Sequence, residues 1–282
     1  MMPGVFGLKD GEYVFASEDI ALRENGAKNI RNAEPGRAYF IGSNGLSLKF
    51  EQVAESAPRH CFFQWNYIGS PKSIINDVSV ETLRRKMGEK LADIIKPEVD
   101  VVTYLPECPE ISARSYAERR GLPFKKIFYK RKPERSFLGK DAKDRRISIE
   151  QNLHVQPIID GVPAEEYLLG KSVLANDDSL VRGNNSAYAV GLLKDMGVKE
   201  VHLVVYTPKI GIIGDDGHPR GCEFGVDMPT NDTFIARGRT DDEINKIVGA
   251  KVHYMPYESM LEVFEEMGIK KVETRLAEEN II

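Results

Sequence analysis

Two spacings of apolar residues divide this chain. Up to about residue 50 they come in short aromatic and β-branched stretches, 11–17 (GEYVFAS), 36–42 (GRAYFIG) and 46–53 (LSLKFEQV). Gly, Asn and Asp separate them, which predicts strands joined by turns. Past a break at 55–61 (ESAPRHC) the spacing turns helical: Val80, Leu83, Met87, Leu91 and Ile94 share one face of a predicted helix over 79–95. Ser79 can cap that helix and Pro97 stops it.

From there, buried-type apolar runs alternate with helical patterns. Strands are predicted at 99–106 (VDVVTYLP), 124–129 (FKKIFY), 171–176 (KSVLAN), 200–207 (EVHLVVYT) and 251–256 (KVHYMP). Helices are predicted at 110–121, closed by Gly121, and at 186–196, 240–249 and 259–268. Strand–helix alternation of this kind predicts a parallel α/β sheet. The expected architecture is a small N-terminal β appendage followed by a doubly wound core over about residues 70–255.

Composition narrows the function classes. The chain has 282 residues, 41% of them hydrophobic, enough for a sizeable core. No span approaches the ~18 apolar residues of a membrane helix. The N-terminus lacks the basic and apolar regions of a secretory signal, and cytoplasmic localisation is the expectation. A net charge of −4 argues against a general nucleic-acid binder. The three cysteines, Cys61, Cys108 and Cys222, are far apart and odd in number, which argues against a disulfide framework. The five histidines are scattered, with no metal-binding spacing.

The densest chemistry lies at 173–188, VLANDDSLVRGNNSAY. An apolar strand ends in Asp177 and Asp178, and a turn runs from Ser179 through Leu180, Val181, Arg182 and Gly183 to Asn184, Asn185 and Ser186. Ligands of open parallel sheets bind beyond the carboxyl ends of strands. There the turn's N–H groups and the following helix start form an anion cradle, and glycine lets the backbone approach closely. The aspartates can accept hydrogen bonds from sugar hydroxyls. Together these groups suit a sugar phosphate. The alternative is a strand-to-helix turn whose Asp and Ser only cap the helix.

DDSLVRGNN resembles the phosphoribosyl pyrophosphate (PRPP) signature of type I phosphoribosyltransferases, two acidic residues followed by Ser-Ile-Val-Arg-Gly-Thr-Thr. The Ser-Ile-Val-Arg-Gly form is typical of glutamine PRPP amidotransferases. The likeness continues in YVFASEDIAL, in PRHCFFQWNYIGSPKSIINDVSVETLRRKMGEKLA and in GCEFGVDMPTNDTFIARGRTDDEINKIVGAKVHYMPYESM. It implies an α/β, type I phosphoribosyltransferase-like parallel sheet flanked by helices. It also implies two domains: residues 1–58 as a β-rich remnant of a glutaminase domain, and residues 59–282 as a phosphoribosyltransferase-like domain with a C-terminal helical extension. The implied ligand is a small ribose phosphate, and the implied assembly a homo-oligomer acting in purine biosynthesis. Asp177 and Asp178 would hold ribose hydroxyls, residues 179–186 the 5′-phosphate, and Arg135, in the basic run 130–146, would close over the pyrophosphate. Mg²⁺ would be held mainly through substrate phosphates and water, with Asp177 and Asp178 as weak metal ligands.

The chain also departs from that pattern. No cysteine precedes Cys61, so glutamine hydrolysis is not expected, and ammonia would come free or from a separate glutaminase subunit. The pyrophosphate loop, Asp-Ser-Gly in character elsewhere, reads Glu107-Cys108-Pro109, and Pro109 has no N–H to give. A lysine expected near Gln151 is absent. Cys61 and Cys222 fall where some members hold an iron–sulfur cluster, but the remaining cysteine pair is missing and no cluster is expected. A transferase, a non-catalytic PRPP- or nucleotide-binding paralogue, and the large half of a split glutamine amidotransferase all remain open.

Overall fold

The computed structural model describes residues 3–42, 48–56, 59–131, 149–222, 228–231, 233–274 and 277. They fall into two compact units. One is chiefly Met1–Leu83 with Phe264–Thr274, and the other chiefly Arg84–Glu223 with Asp227–Val263.

In the first unit β1 (Val5–Lys9) pairs antiparallel with β2 (Glu12–Ala16) and β3 (Lys28–Asn32), with α1 (Asp19–Glu24) between the latter two. A hairpin follows, β4 (Arg37–Ile41) with β5 (Leu48–Gln52). The strands expected at 11–17, 36–42 and 46–53 are these β2, β4 and β5. β1 and β3 went unread because KNIRN is mostly polar and VFGLK is interrupted by glycine. Two acidic side chains fasten α1: Glu18 accepts the Ser70 N–H at 2.8 Å, and Asp19 accepts the Ile74 N–H at 2.7 Å. β6 (His60–Cys61) pairs with a C-terminal strand described below, and a π-helical turn, Gln64–Ile68, buries Trp65 against Phe264. A short hairpin, β7 (Ile74–Ile75) with β8 (Val78–Ser79), leads into α2 (Val80–Ile94).

The second unit is built on four parallel strands. They are β9 (Val101–Tyr104), β14 (Ser172–Asp177), β15 (Glu200–Val205) and β16 (Lys251–Tyr254), ordered β16-β15-β14-β9. Between β9 and β14 run α3 (Glu110–Arg120), the pair β10 (Phe128–Lys130) and β11 (Leu153–Val155), the hairpin β12 (Ile158–Ile159) and β13 (Val162–Pro163), and α4 (Ala164–Leu168). After β14 come α5 (Asn184–Asp195), α6 (Asp241–Val248) and α7 (Tyr257–Glu266); β17 (Val272–Glu273), which pairs with β6, belongs to the first unit. Strands β9, β14 and β15 match the expected ones because each carries a buried apolar run, as strands covered on both faces must; β16, KVHY at the sheet edge, is only partly buried.

The segment 124–129 does not form the parallel strand expected of it. Only Phe124 bridges to Val102, and the regular strand is three residues pairing antiparallel with β11. Lys125 and Lys126 explain the break: their ammonium groups reach Asp160 and Glu110 at 2.5 and 2.7 Å, which draws them out of a sheet interior.

One face of the sheet packs Val173, Ala175, Val201, Leu203 and Val205 against Ala189, Val190 and Leu193 of α5. Elsewhere in this unit α2 and α3 approach closely. A Cβ on Gly88 would lie 2.1 Å from the Ser112 carbonyl oxygen, so only glycine fits. At the sheet edge His202 Nδ1 and His253 Nε2 are 2.9 Å apart with their rings stacked.

Candidate functional site

β14 ends at Asp177, whose carbonyl still accepts the Tyr206 N–H at 3.2 Å. The chain then turns, and α5 begins at Asn184, two residues before the expected start. The reason is Gly183, which takes φ +81 and acts as the N-cap. A Cβ there would sit 2.5 Å from Ile235 Cδ1, so backbone conformation and space both require glycine. The Ile235 N–H donates to the Val181 carbonyl at 2.8 Å, and Leu180 is buried in the same apolar cluster. The turn is therefore held from below and from the side. Gly183 brings no side chain to accept from the first-turn amides, leaving the positive end of a twelve-residue helix for an anion. Asn184 and Asn185 are exposed at that end, Val181 and Arg182 are half-buried, and Ser186 is buried.

The two aspartates differ. Asp177 is nearly buried; its Oδ1 accepts the Asp178 N–H at 2.9 Å and its Oδ2 accepts the Ser186 hydroxyl at 2.8 Å. It thus orders the turn through Ser186 without capping the amides of the helix. Asp178 is half-buried and accepts the Ser179 hydroxyl at 2.8 Å. Burial raises the pKa of both, and the charge of Asp178 raises Asp177 further. Opposing the rise at Asp178 are the Ser179 hydrogen bond and the cation of Arg84.

Sequence reasoning missed Arg84. It lies on α2, is 1% exposed, and is close enough to act on both Asp178 and Tyr206. A signal was available: Arg84 falls four residues after Val80 and three before Met87, on the helix's apolar stripe. A charge at such a position needs a buried partner. Tyr206, also completely buried, lies among Arg84, Asp178, Cys108 and Asp177, and burial pushes its hydroxyl well up.

The loop after β9 lies beside this turn. The Leu105 N–H donates to the Asn176 carbonyl at 2.9 Å. Glu107 is exposed, Cys108 half-buried and Pro109 buried, and the Pro106–Glu107 peptide is cis. The Ser112 hydroxyl lies 3.0 Å from the Pro109 carbonyl and 2.7 Å from Asn176 Oδ1, which fastens this loop to the residue before Asp177. The fold thus brings 107–109 and 177–186 together at the carboxyl ends of neighbouring strands. Arg135 lies outside the described residues. Cys61 and Cys222 are both half-buried.

Among the described residues no three His, Cys, Asp or Glu side chains converge to hold a metal ion. With both Asp177 oxygens engaged, the acidic pair fits a cation that arrives on a ligand's phosphates rather than a protein-built cage. No described helix is long and apolar enough to cross a membrane.

No protein-family model matches the chain. Curated relatives do. The amidophosphoribosyltransferase of Archaeoglobus fulgidus is 33% identical over 272 residues, 95% of this chain and 56% of that protein. That of Pseudomonas aeruginosa is 31% identical over 282 residues, 96% of this chain and 52% of the relative. Among solved structures, one described as the allosteric regulatory enzyme of purine biosynthesis has a TM-score of 0.78 at 29% identity, covering 97% of this chain and 55% of its own. The glutamine PRPP amidotransferase from B. subtilis, complexed with ADP and GMP, has a TM-score of 0.77 at 28% identity, covering 98% and 56%. The chain spans about half the length of the curated relatives it matches. Along that half, this chain belongs to the amidophosphoribosyltransferase family.

Proposed function

We propose that this chain binds PRPP at the crest of β14 and acts as a phosphoribosyltransferase of amidophosphoribosyltransferase type, forming 5-phosphoribosylamine from ammonia that is free or partner-supplied. The observation that carries the reading is one conjunction: a helix start whose N-cap, Gly183, supplies no side-chain cap, directly beside a carboxylate pair at a strand's carboxyl end. The amides of 179–186 suit the 5′-phosphate, and Asp178, the more exposed carboxylate, suits the ribose hydroxyls. Asp177 orders the turn that presents both. Arg135 would close over the pyrophosphate.

In the reaction the nitrogen of ammonia forms a bond to the anomeric carbon as the carbon–oxygen bond to pyrophosphate breaks. Pyrophosphate leaves with the electron pair, and the new amine releases a proton. Mg²⁺, carried on the substrate's phosphates, would offset the leaving group's charge. The chain's own contribution is positioning and fixed charge around an oxocarbenium-like transition state. The test is pyrophosphate release from PRPP, Mg²⁺ and ammonia. Release that disappears in Asp178→Asn supports the reading; PRPP that neither binds nor reacts refutes it.

A second reading, a PRPP- or nucleotide-binding paralogue without chemistry, rests on Glu107-Cys108-Pro109, where a buried proline removes an anion-binding N–H. Binding without pyrophosphate release would select it. A third, the large half of a split glutamine amidotransferase, draws support from the first unit. The rings of Phe6, Phe15, Tyr39 and Phe50 form a cluster there, of which Phe15 and Phe50 are 44% and 58% exposed. Such a patch fits cover by a partner polypeptide. In this reading residues 1–58 are the remnant of a glutaminase-like domain, and residues 59–282 form the transferase-like part. A cytoplasmic homo-oligomer acting in purine biosynthesis completes the proposal.

A further inference from the structure

Thr207 follows Tyr206 just beyond β15 and is completely buried. Its hydroxyl has no hydrogen-bond partner among the described residues. Folding strips such a group of water and returns nothing, so unsatisfied buried hydroxyls are rare and call for a reason. Position supplies one. Val201, Leu203 and Val205 alternate along β15 into the cluster shared with α5, and past the strand's carboxyl end the chain bends at Tyr206 and Thr207. Asp177 pairs with Val205 in register, and its carboxylate holds Ser186 in the first turn of α5. Thr207 therefore lies at the carboxyl end of the strand next to β14, the end from which the turn 179–186 leaves. Two independent features meet there: the helix start without a side-chain cap and an unspent, desolvated hydroxyl.

We propose that Thr207 Oγ1 is a binding group for the phosphate held by the 179–186 turn, donating its O–H to a phosphate oxygen. This rests on the ribose-phosphate reading above. A neutral donor suits the place, because the neighbouring carboxylates already carry negative charge. The β-branched side chain holds its rotamer without ligand, so little freedom is lost on binding. Nothing in the turn's sequence signals this residue, since it arrives from the next strand.

Thr207→Val, nearly the same shape without the hydroxyl, is the decisive variant. Apo melting temperature and calorimetric affinity for Mg²⁺-PRPP and for inorganic phosphate are measured in wild type, Thr207→Val and Thr207→Ser. The expected result is an apo melting temperature in Thr207→Val at or above wild type, with affinity for both probes about tenfold weaker and restored in Thr207→Ser. Unchanged affinity in Thr207→Val overturns the proposal, whatever happens to stability. So does a lowered apo melting temperature with equal affinity losses in both variants, the mark of a purely structural hydroxyl. Wild-type protein that fails to bind PRPP overturns the ribose-phosphate reading and this assignment with it. Wild type that binds beside a Thr207→Val variant that binds equally well overturns this assignment alone.

Discussion

Two loops at the carboxyl ends of adjacent parallel strands, 105–109 after β9 and 177–183 after β14, share a place in the fold but not a chemistry. Each leads from strand to helix. After β14 the entry residue is glycine at φ +81, which supplies no side-chain cap to α5. After β9 the entry residue is a buried proline at φ −78, with Ser112 reaching back to its carbonyl. Topology places a ligand; the donors left over by the local chain decide whether anything is held there. Both loops engage polar groups in their own structure, the Asp178 N–H and Ser179 hydroxyl in one and the Ser112 hydroxyl in the other; the difference is that the entry residue at 183 has an N–H and the proline at 109 has none.

The comparison can be broken hardest from below. Arg84→Met removes a completely buried cation and one of the groups that offset burial of Asp178; we expect a loss of about 3 kcal/mol in denaturant unfolding, partly recovered by Arg84→Lys. Next comes Gly183→Ala, which combines an unfavourable φ with a Cβ 2.5 Å from Ile235, for about 2 kcal/mol of stability and weaker phosphate binding. Adding Ile235→Ala should recover the steric part and not the conformational part. The two aspartates come third. Asp178→Asn should weaken PRPP binding by about tenfold, roughly 1.4 kcal/mol, and more than Asp177→Asn does; equal losses would mean the two carboxylates share one task. A smaller and opposite effect is expected from Pro109→Ala, which returns an N–H to the weaker loop. Pyrophosphate affinity measured by calorimetry should rise by about threefold.

The smallest effect serves as a control away from both loops. Burial holds the pKa of His202 and His253 below the ordinary 6.5. Lys251 and the charge of one ring on the other add to this at His253, and Glu200 opposes it at His202. With folded values depressed, the unfolded chain binds more protons just below 6.5, so stability falls as pH drops through that window. Melting at about pH 5 should therefore lie below that at about pH 7.5, and His202→Gln with His253→Gln should flatten the difference without altering PRPP affinity.

What could be read in the sequence was local. The helix face of Val80, Met87 and Leu91 shows because its period repeats within one element, and the acidic pair with Gly183 shows because strand, turn and helix are contiguous. Arg84, Tyr206, Thr207, Ser112 and Ile235 stayed hidden. Each comes to the site from another element, and only Arg84, on the apolar stripe of α2, carries a spacing that marks it for burial. The division between the aspartates was also illegible, since Ser186 decides it through a hydrogen bond that exists only once α5 has formed. At 124–129 an aromatic, apolar-looking run was overruled by two lysines that found carboxylates outside the sheet.

Gly183 and Ile235 are separated by 51 intervening residues yet occupy one volume, since the isoleucine side chain fills the space a side chain at 183 would need. Among natural variants the two positions should not drift independently: a β-branched or larger residue at 235 should always accompany glycine at 183. Any sequence bearing a side chain at 183 should have surrendered bulk at 235 first, so the order of substitutions during divergence is constrained, and not only their final combination.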